Sequence, residues 1–274
     1  MPHTDMLIVL SEDEIVDLCT LSGPRTNFCT YPAIDPMYFI KYSITMGEAR
    51  TQAYIHDRTT DVPGGPRVPK IHQAFKRDGR TYLVMEFVNA PTVAEFLATH
   101  PSKTEDVHAI IASALSWIPR LPLPQQPSLG PIGGGFAKHI FFGPDQEAPL
   151  KFVDVLALQR YANEALRHTP GRGPKLTVDF ESEARCFYHS DIRATNFLIN
   201  PETWELTIVD LEHVGILTTS FTSYALHGPE HPFVRDMVAR IDFPESKQLP
   251  AMSRVACILV QSGGSALDPP YSYG

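Results

Sequence analysis

The stretch CFYHSDIRATNFLI, residues 186–199, constrains this chain more than any other. An apolar run stops at His189, Ser190 and Asp191, and Asn196 follows Asp191 by five places. The sequence continues NPETWELTIVD, so the apolar runs NFLI and LTIVD flank a turn and predict a strand pair. Asp191 and Asn196 then precede the first strand and Asp210 ends the second, which gathers two carboxylates and a carboxamide at one end of a hairpin. Taken alone, the same residues describe a polar turn whose Asp and Asn cap local backbone.

Phosphoryl transfer needs this set of groups. One Asp accepts or orients the acceptor's proton, while an Asn and a second Asp offer hard oxygen ligands to Mg²⁺ on nucleotide phosphates. Catalytic loops of that chemistry space base and carboxamide as HxDxxxxN, and His189, Asp191 and Asn196 match. Asp191 is therefore the candidate base, with Asn196 and Asp210 as candidate metal ligands. Arg193 is a candidate for offsetting charge on the transferring phosphate, the plain alternative being a solvated loop cation. His189 completes the candidate catalytic residues, and its favoured role is to hold the loop through its ring.

Such a site also needs a strand Lys for the nucleotide phosphates and a helical Glu to orient it. The first part of the chain supplies both. SEDEIVDLCTL opens with Ser11 and Glu14 in capping-box register and predicts a short helix ended by Gly23-Pro24. TNFCTYP and MYFIKYSI read as strands, MGEARTQAYIHDR as a helix, and KIHQAFKR and TYLVMEFV as a hairpin about Asp78-Gly79. Lys41 lies inside an apolar strand, where an unpaired ammonium is expensive to bury, and Glu48 follows seven residues later at the start of the helix. YLVMEFV leads out of this region, so Met85 is placed to line a nucleotide pocket and the backbone of Glu86 and Val88 to meet an adenine edge. Residues 1–88 thus predict a small sheet-rich lobe.

Residues 89–274 predict a mainly helical lobe. PTVAEFLATH has a capping box at Thr92 and Glu95, and TEDVHAIIASALSWI carries an i, i+3, i+4, i+7 apolar stripe. Residues 119–150 are Pro- and Gly-rich and read as a long surface loop. Within it GPIGGG lacks the Lys-Ser/Thr of a phosphate-binding loop and reads as a flexible connector. KFVDVLALQRYANEALRH, HPFVRDMVARI and AMSRVACILVQ read as further helices, and DPPYSYG as a frayed tail.

The totals exclude several function classes. With 23 basic and 31 acidic side chains the net charge is −8, which argues against a general nucleic-acid binder. No run of about 18 apolar residues is present, so no membrane span is expected. The N-terminus shows no secretory pattern, and four scattered cysteines read as free thiols, which together predict a cytoplasmic protein. The acidic balance fits a cationic acceptor and fits simple solubility equally well.

With FIKY and Glu48, YLVMEFVNAPT, LGPIGGG, FYHSDIRATNFLI and LTIVDLEHVG all in hand, the chain resembles the aminoglycoside phosphotransferase/choline-kinase-like family, especially its fungal small-molecule kinase-like branch. The resemblance spans about residues 11–217. It implies an α+β, two-lobed protein-kinase-like fold that uses Mg-ATP and a small-molecule hydroxyl or amine acceptor. It also implies Asp191 as base, Asn196 and Asp210 as metal ligands, and Lys41 paired with Glu48 on the phosphates. Ser190 stands where the family usually has Gly, Leu211 where an aromatic is common, and SGPRTNFCTYPAIDP has a single Gly where a Gly-rich hairpin would cover the nucleotide. Those departures keep a second expectation open: a kinase-like fold reused as a non-phosphorylating metabolite enzyme or a ligand-binding pseudokinase. A metal hydrolase built on His189, Asp191, Asp210, Glu212 and His213 is a third.

Overall fold

In the computed structural model, residues 10–21, 26–42, 44–60, 62, 64–167, 175–228 and 232–261 are described. Residues 1–9, the Gly23-Pro24 turn and the DPPYSYG tail lie outside them. The chain begins with α1 (Glu12–Leu21), whose Ser11 hydroxyl accepts from the Glu14 N–H while the Glu14 carboxylate accepts from the Ser11 N–H. Next come β1 (Phe28–Tyr31), β2 (Tyr38–Tyr42), α2 (Met46–Thr59), β3 (Ile71–Arg77) and β4 (Arg80–Glu86). The four strands form one antiparallel sheet in the order β1-β2-β4-β3.

Strand alternation decides what each face of this sheet does. Tyr38, Ile40 and Tyr42 point to one side, where they pack with Ile15 and Cys19 of α1. Phe39 and Lys41 point to the other, towards α2 and the second lobe. Helix α2 is started by Thr45, whose hydroxyl accepts from the Glu48 N–H, which fixes Glu48 in the first turn beneath β2.

Beyond β4 the chain turns mainly helical, with α3 (Val93–Thr99), α4 (Thr104–Trp117) and α5 (Val155–Arg167). The pairs β5 (Arg185–His189) with β8 (Val214–Thr218) and β6 (Phe197–Ile199) with β7 (Leu206–Ile208) follow, then α6 (Thr219–His227), α7 (Pro232–Arg235) and α8 (Leu249–Gln261). One apolar core joins α4 to β5–β8, including Ile111, Phe187, Phe197 and Ile208. A second, aromatic core holds Phe141, Phe142, Phe180, Phe221 and Tyr224. Arg67 ties the lobes together through backbone bonds with Leu206 and Ile208. This is the sheet-rich and helical two-lobed arrangement expected.

Three segments differ from the sequence reading. The region 119–150 is not a surface loop, because Leu121, Leu129, Ala137, Phe141, Phe142 and Ala148 are buried and Gly130 exchanges backbone bonds with Ile216 of β8. HPFVRDMVARI forms one four-residue helix and then a separate 3₁₀ turn over Val238–Arg240, because i to i+3 bonds bring Met237 into the core. Strand β8 and helix α6 were not anticipated. Every residue of β8 is buried, so it lacks the alternation that betrays a half-exposed strand.

Candidate active site

Three side chains from three elements meet where the lobes face each other. Lys41 Nζ donates to Glu48 Oε1 at 2.8 Å and to Asp210 Oδ1 at 2.7 Å. Glu48 is almost wholly buried and Asp210 is the exposed partner. Burial would push the Lys41 ammonium down, but the two carboxylates outweigh it and hold the group above its ordinary value. Glu48 is pushed up to about 7, chiefly by burial, against the pull of Lys41. Burial works to raise Asp210 too, but Lys41 holds that carboxyl below its usual range. Lys41 thus bridges two carboxylates of opposite tendency, the buried Glu48 held above the usual carboxylate range and the exposed Asp210 below it. Its second oxygen, Oε2, is buried without a partner.

Asp210 adopts a left-handed backbone, φ 58°, between β7 and the 3₁₀ turn Leu211–His213. Asp tolerates this region better than most residues, and the bend turns its carboxylate towards Lys41. Leu211 is buried in the core below.

The loop between β5 and β6 carries the other candidates. Asn196 Nδ2 donates to the Asp191 carbonyl at 2.9 Å and to Asp191 Oδ2 at 2.8 Å, which closes the loop on itself. Arg193 Nε meets Asp191 Oδ1 at 2.6 Å, so its guanidinium sits on the candidate base. His189 is buried beside Phe197, and burial pushes its imidazole down to about 4 in spite of nearby Asp191. Neither ring nitrogen has a hydrogen-bond partner among the described residues, so the expected hold on the loop through the ring is not made and the imidazole packs against Phe197 instead. Ser190 donates its N–H to the His213 carbonyl at 3.0 Å, while its hydroxyl is buried without a partner.

A hollow of about 500 Å³ runs between the lobes from Phe28, Phe39, Met85 and Val88 to Lys41, Asn196 and Asp210. Apolar walls at one end and charge at the other suit a nucleotide base and its phosphates. The Glu86 N–H is already bonded to the Lys70 carbonyl, and its carboxylate pairs with Arg67, so Glu86 offers no backbone donor. The Val88 N–H has no partner among the described residues. Met85 lines the hollow as expected. A larger hollow of about 1040 Å³ lies behind the exit of β4, near His56, Arg67 and His72, and contains none of the catalytic-loop residues.

Asn196 and Asp210 both face the 500 Å³ hollow. Asp210 Oδ2 and Asn196 Oδ1 are hard oxygens, and among the described residues Asp210 bonds through Oδ1 alone, so the pair fits Mg²⁺. Among the described residues no three His, Cys, Asp or Glu side chains converge as a metal cage. The hydrolase set of His189, Asp191, Asp210, Glu212 and His213 is therefore not assembled. Lys138, from the segment read as a loop, bonds Glu212 at the rim. Nothing in the sequence signalled this, since the segment has no periodicity.

No helix among the described residues is long and apolar enough to cross a membrane. A search of curated proteins finds no significant match. Among solved structures, a thermostable mutant of aminoglycoside phosphotransferase APH(4)-Ia shares 14% identity over 88% of each chain, with a TM-score of 0.52. The GDP complex of aminoglycoside 2'-phosphotransferase-IIIa shares 12% identity over 92% of this chain and 88% of that one, TM-score 0.49. Aminoglycoside phosphotransferase APH(3'')-Id from Streptomyces rimosus, solved with ADP and streptomycin, shares 14% over 92% and 99%, TM-score 0.45. At such identities the likeness to the first of these speaks to the fold alone. The family model described as "Phosphotransferase enzyme family" matches residues 45–218, well over half of the chain and spanning Glu48, Asp191, Asn196 and Asp210, and the chain belongs to that family.

Proposed function

We propose that this protein transfers the γ-phosphoryl group of ATP to a hydroxyl or amine of a small molecule. The observation that carries the reading is the meeting of Lys41, Glu48 and Asp210 at the charged end of an otherwise apolar hollow. Lys41 stays cationic and meets the nucleotide phosphates. Glu48 fixes its direction from below. The Val88 N–H serves the base edge, and Met85 and Phe39 cover its faces.

Asp191 is the base in this reading. As the new O–P or N–P bond forms and the bond to the γ-phosphorus breaks, its carboxylate takes the acceptor's proton and ADP leaves with the electron pair. Asn196 orients that carboxylate through its bond to Oδ2, and its second bond, to the Asp191 carbonyl, fixes the backbone beneath. Asn196 and Asp210 would hold Mg²⁺, which when bound neutralises charge on the phosphates.

One observation favours a second reading, a ligand-binding protein without transfer. Both Asp191 oxygens are engaged, Oδ1 by Arg193 and Oδ2 by Asn196. Titration with Mg-ATP followed by assay of ADP release separates the two, using wild type and Asp191→Asn. Phosphotransfer predicts binding by both proteins and turnover by wild type, falling roughly 10²–10⁴-fold in the variant. Failure to bind ATP at millimolar concentration sinks the proposal, and binding without turnover supports the second reading.

A further inference from the structure

Beside the nucleotide hollow lies another of about 580 Å³, walled by the start of α2, Lys76 of β3 and the loop from Pro131 to Lys138. Glu212 lines both, so a molecule in the second hollow lies next to the Lys41–Asp210 end of the first. Its charge is opposite to that of the whole protein. Arg50, Lys76, Lys138 and Lys151 line it against two carboxylates, Glu147 and Glu212, in a chain of net charge −8. Both carboxylates are already engaged by one cation, since Lys138 Nζ meets Glu212 and lies 3.6 Å from Glu147.

The other three cations have no carboxylate partner among the described residues. Lys151 lies over the Phe136 ring at 5.1 Å. Arg50 presses against Gly133, where a Cβ would stand 2.5 Å from Nη1 and where φ is +82°. Glycine there lets the guanidinium in. Like charges gathered in one concavity repel each other and focus a positive potential, and an anion seated among them relieves that repulsion. A polycation would meet the same field as a barrier.

We propose that this hollow binds the carboxylate or phosphate end of a small-molecule acceptor whose reacting group extends past Glu212 towards Asp191. The site's role for an acceptor rests on the phosphotransfer reading above; anion binding does not. The acidity of the whole chain is compatible with a cationic acceptor as well as with simple solubility, but a ligand responds to the field of the hollow it enters.

The test is calorimetric titration of the full-length protein at low ionic strength with citrate, glycerol 3-phosphate and kanamycin, each without Mg²⁺, and separately with Mg-ATP. The partner protein is Lys76→Gln/Lys151→Gln, both exposed positions where folding is not at stake. At least one anion is expected to bind wild type and to bind the double variant roughly tenfold more weakly or worse. Kanamycin is expected to bind neither, and Mg-ATP to bind both alike. Which of citrate and glycerol 3-phosphate binds tighter separates carboxylate from phosphate. Tighter binding of kanamycin, no binding of either anion, or unchanged anion affinity in the double variant overturns the proposal. Anion binding by a wild type that does not bind Mg-ATP keeps the anion site and overturns both the phosphotransfer reading and the site's role for an acceptor.

Discussion

Lys41 Nζ lies 2.7 Å from Asp210 Oδ1, although 169 positions separate the two residues. The contact spans the lobes and holds a cation in the hollow with one buried and one exposed carboxylate. Lys41→Met removes the cation and leaves both acids. Asp210 can turn to water, and Glu48 escapes an unpaired buried charge by keeping its proton. The stability loss is therefore about 1–3 kcal/mol rather than the larger cost of stranding a buried ion. Turnover should fall about 10²–10³-fold. Urea unfolding and ADP release check both, and a variant with wild-type turnover would remove Lys41 from the phosphate site.

Two buried groups give stability a pH dependence of opposite sign. Glu48 is raised from 4.5 to about 7, so its contribution is full below about 4.5 and is lost as pH rises towards 7. His189 is lowered from 6.5 to about 4, so its contribution is full above 6.5 and is lost as pH falls towards 4. Between about 4.5 and 6.5 the two oppose each other in the wild type. Glu48→Gln removes the opposing carboxyl and leaves the buried histidines, His139 as well as His189, so stability should drop more steeply from pH 7 to pH 5, by about 1–3 kcal/mol beyond wild type. Equal slopes in urea unfolding at the two pH values would show that Glu48 is not held protonated.

The candidate catalytic loop and the first lobe were legible because their signals are local. Asp191 and Asn196 are five apart on one turn, Lys41 sits in an aromatic strand, and Glu48 opens a helix with its own cap. Phe141, Phe142 and the Gly130 pairing were illegible for the opposite reason. They are buried by contacts with β8, α6 and α8, far along the chain, and a Pro- and Gly-rich segment carries no period to announce its burial. The basic hollow was invisible too, since its cations come from α2, β3 and that aperiodic segment. Arg193 was in view, but its partner was not. Spacing cannot say that it turns back onto Asp191.

Gly215 marks where the aperiodic segment is pinned. A Cβ there would stand 2.6 Å from the Gly130 carbonyl oxygen, and backbone is what it meets. Gly215→Ala must push β8 and residue 130 apart and should cost about 1–3 kcal/mol. Gly79→Ala is the control. It meets nothing within 4 Å, so its cost of about 1–2 kcal/mol is the backbone strain of a turn at φ +74° alone. Thermal unfolding measures both losses, and a loss in Gly215→Ala below about 1 kcal/mol would mean that the close approach of residue 130 is not a constraint.

Arg193 and Asn196 both hold Asp191, but they differ in kind. Asn196 is buried and makes two bonds to it, whereas Arg193 is more than half exposed and makes one ion pair of the modest, solvent-screened type. If Arg193 acted on the phosphoryl group in the transition state, its removal would cost about 10²–10³ in kcat. Its contact with Asp191 predicts less. Arg193→Ala should lower kcat by about tenfold or less, leave KM for ATP unchanged and reduce the sensitivity of kcat to salt. Asn196→Ala loses the base's orientation and an oxygen facing the hollow, so kcat should fall about 10²–10³-fold and the Mg²⁺ concentration for half-activity should rise. Steady-state kinetics across Mg²⁺ and salt series separate the two residues. A loss in Arg193→Ala as deep as that in Asn196→Ala would put the guanidinium on the phosphate after all, with the Asp191 contact only its resting place.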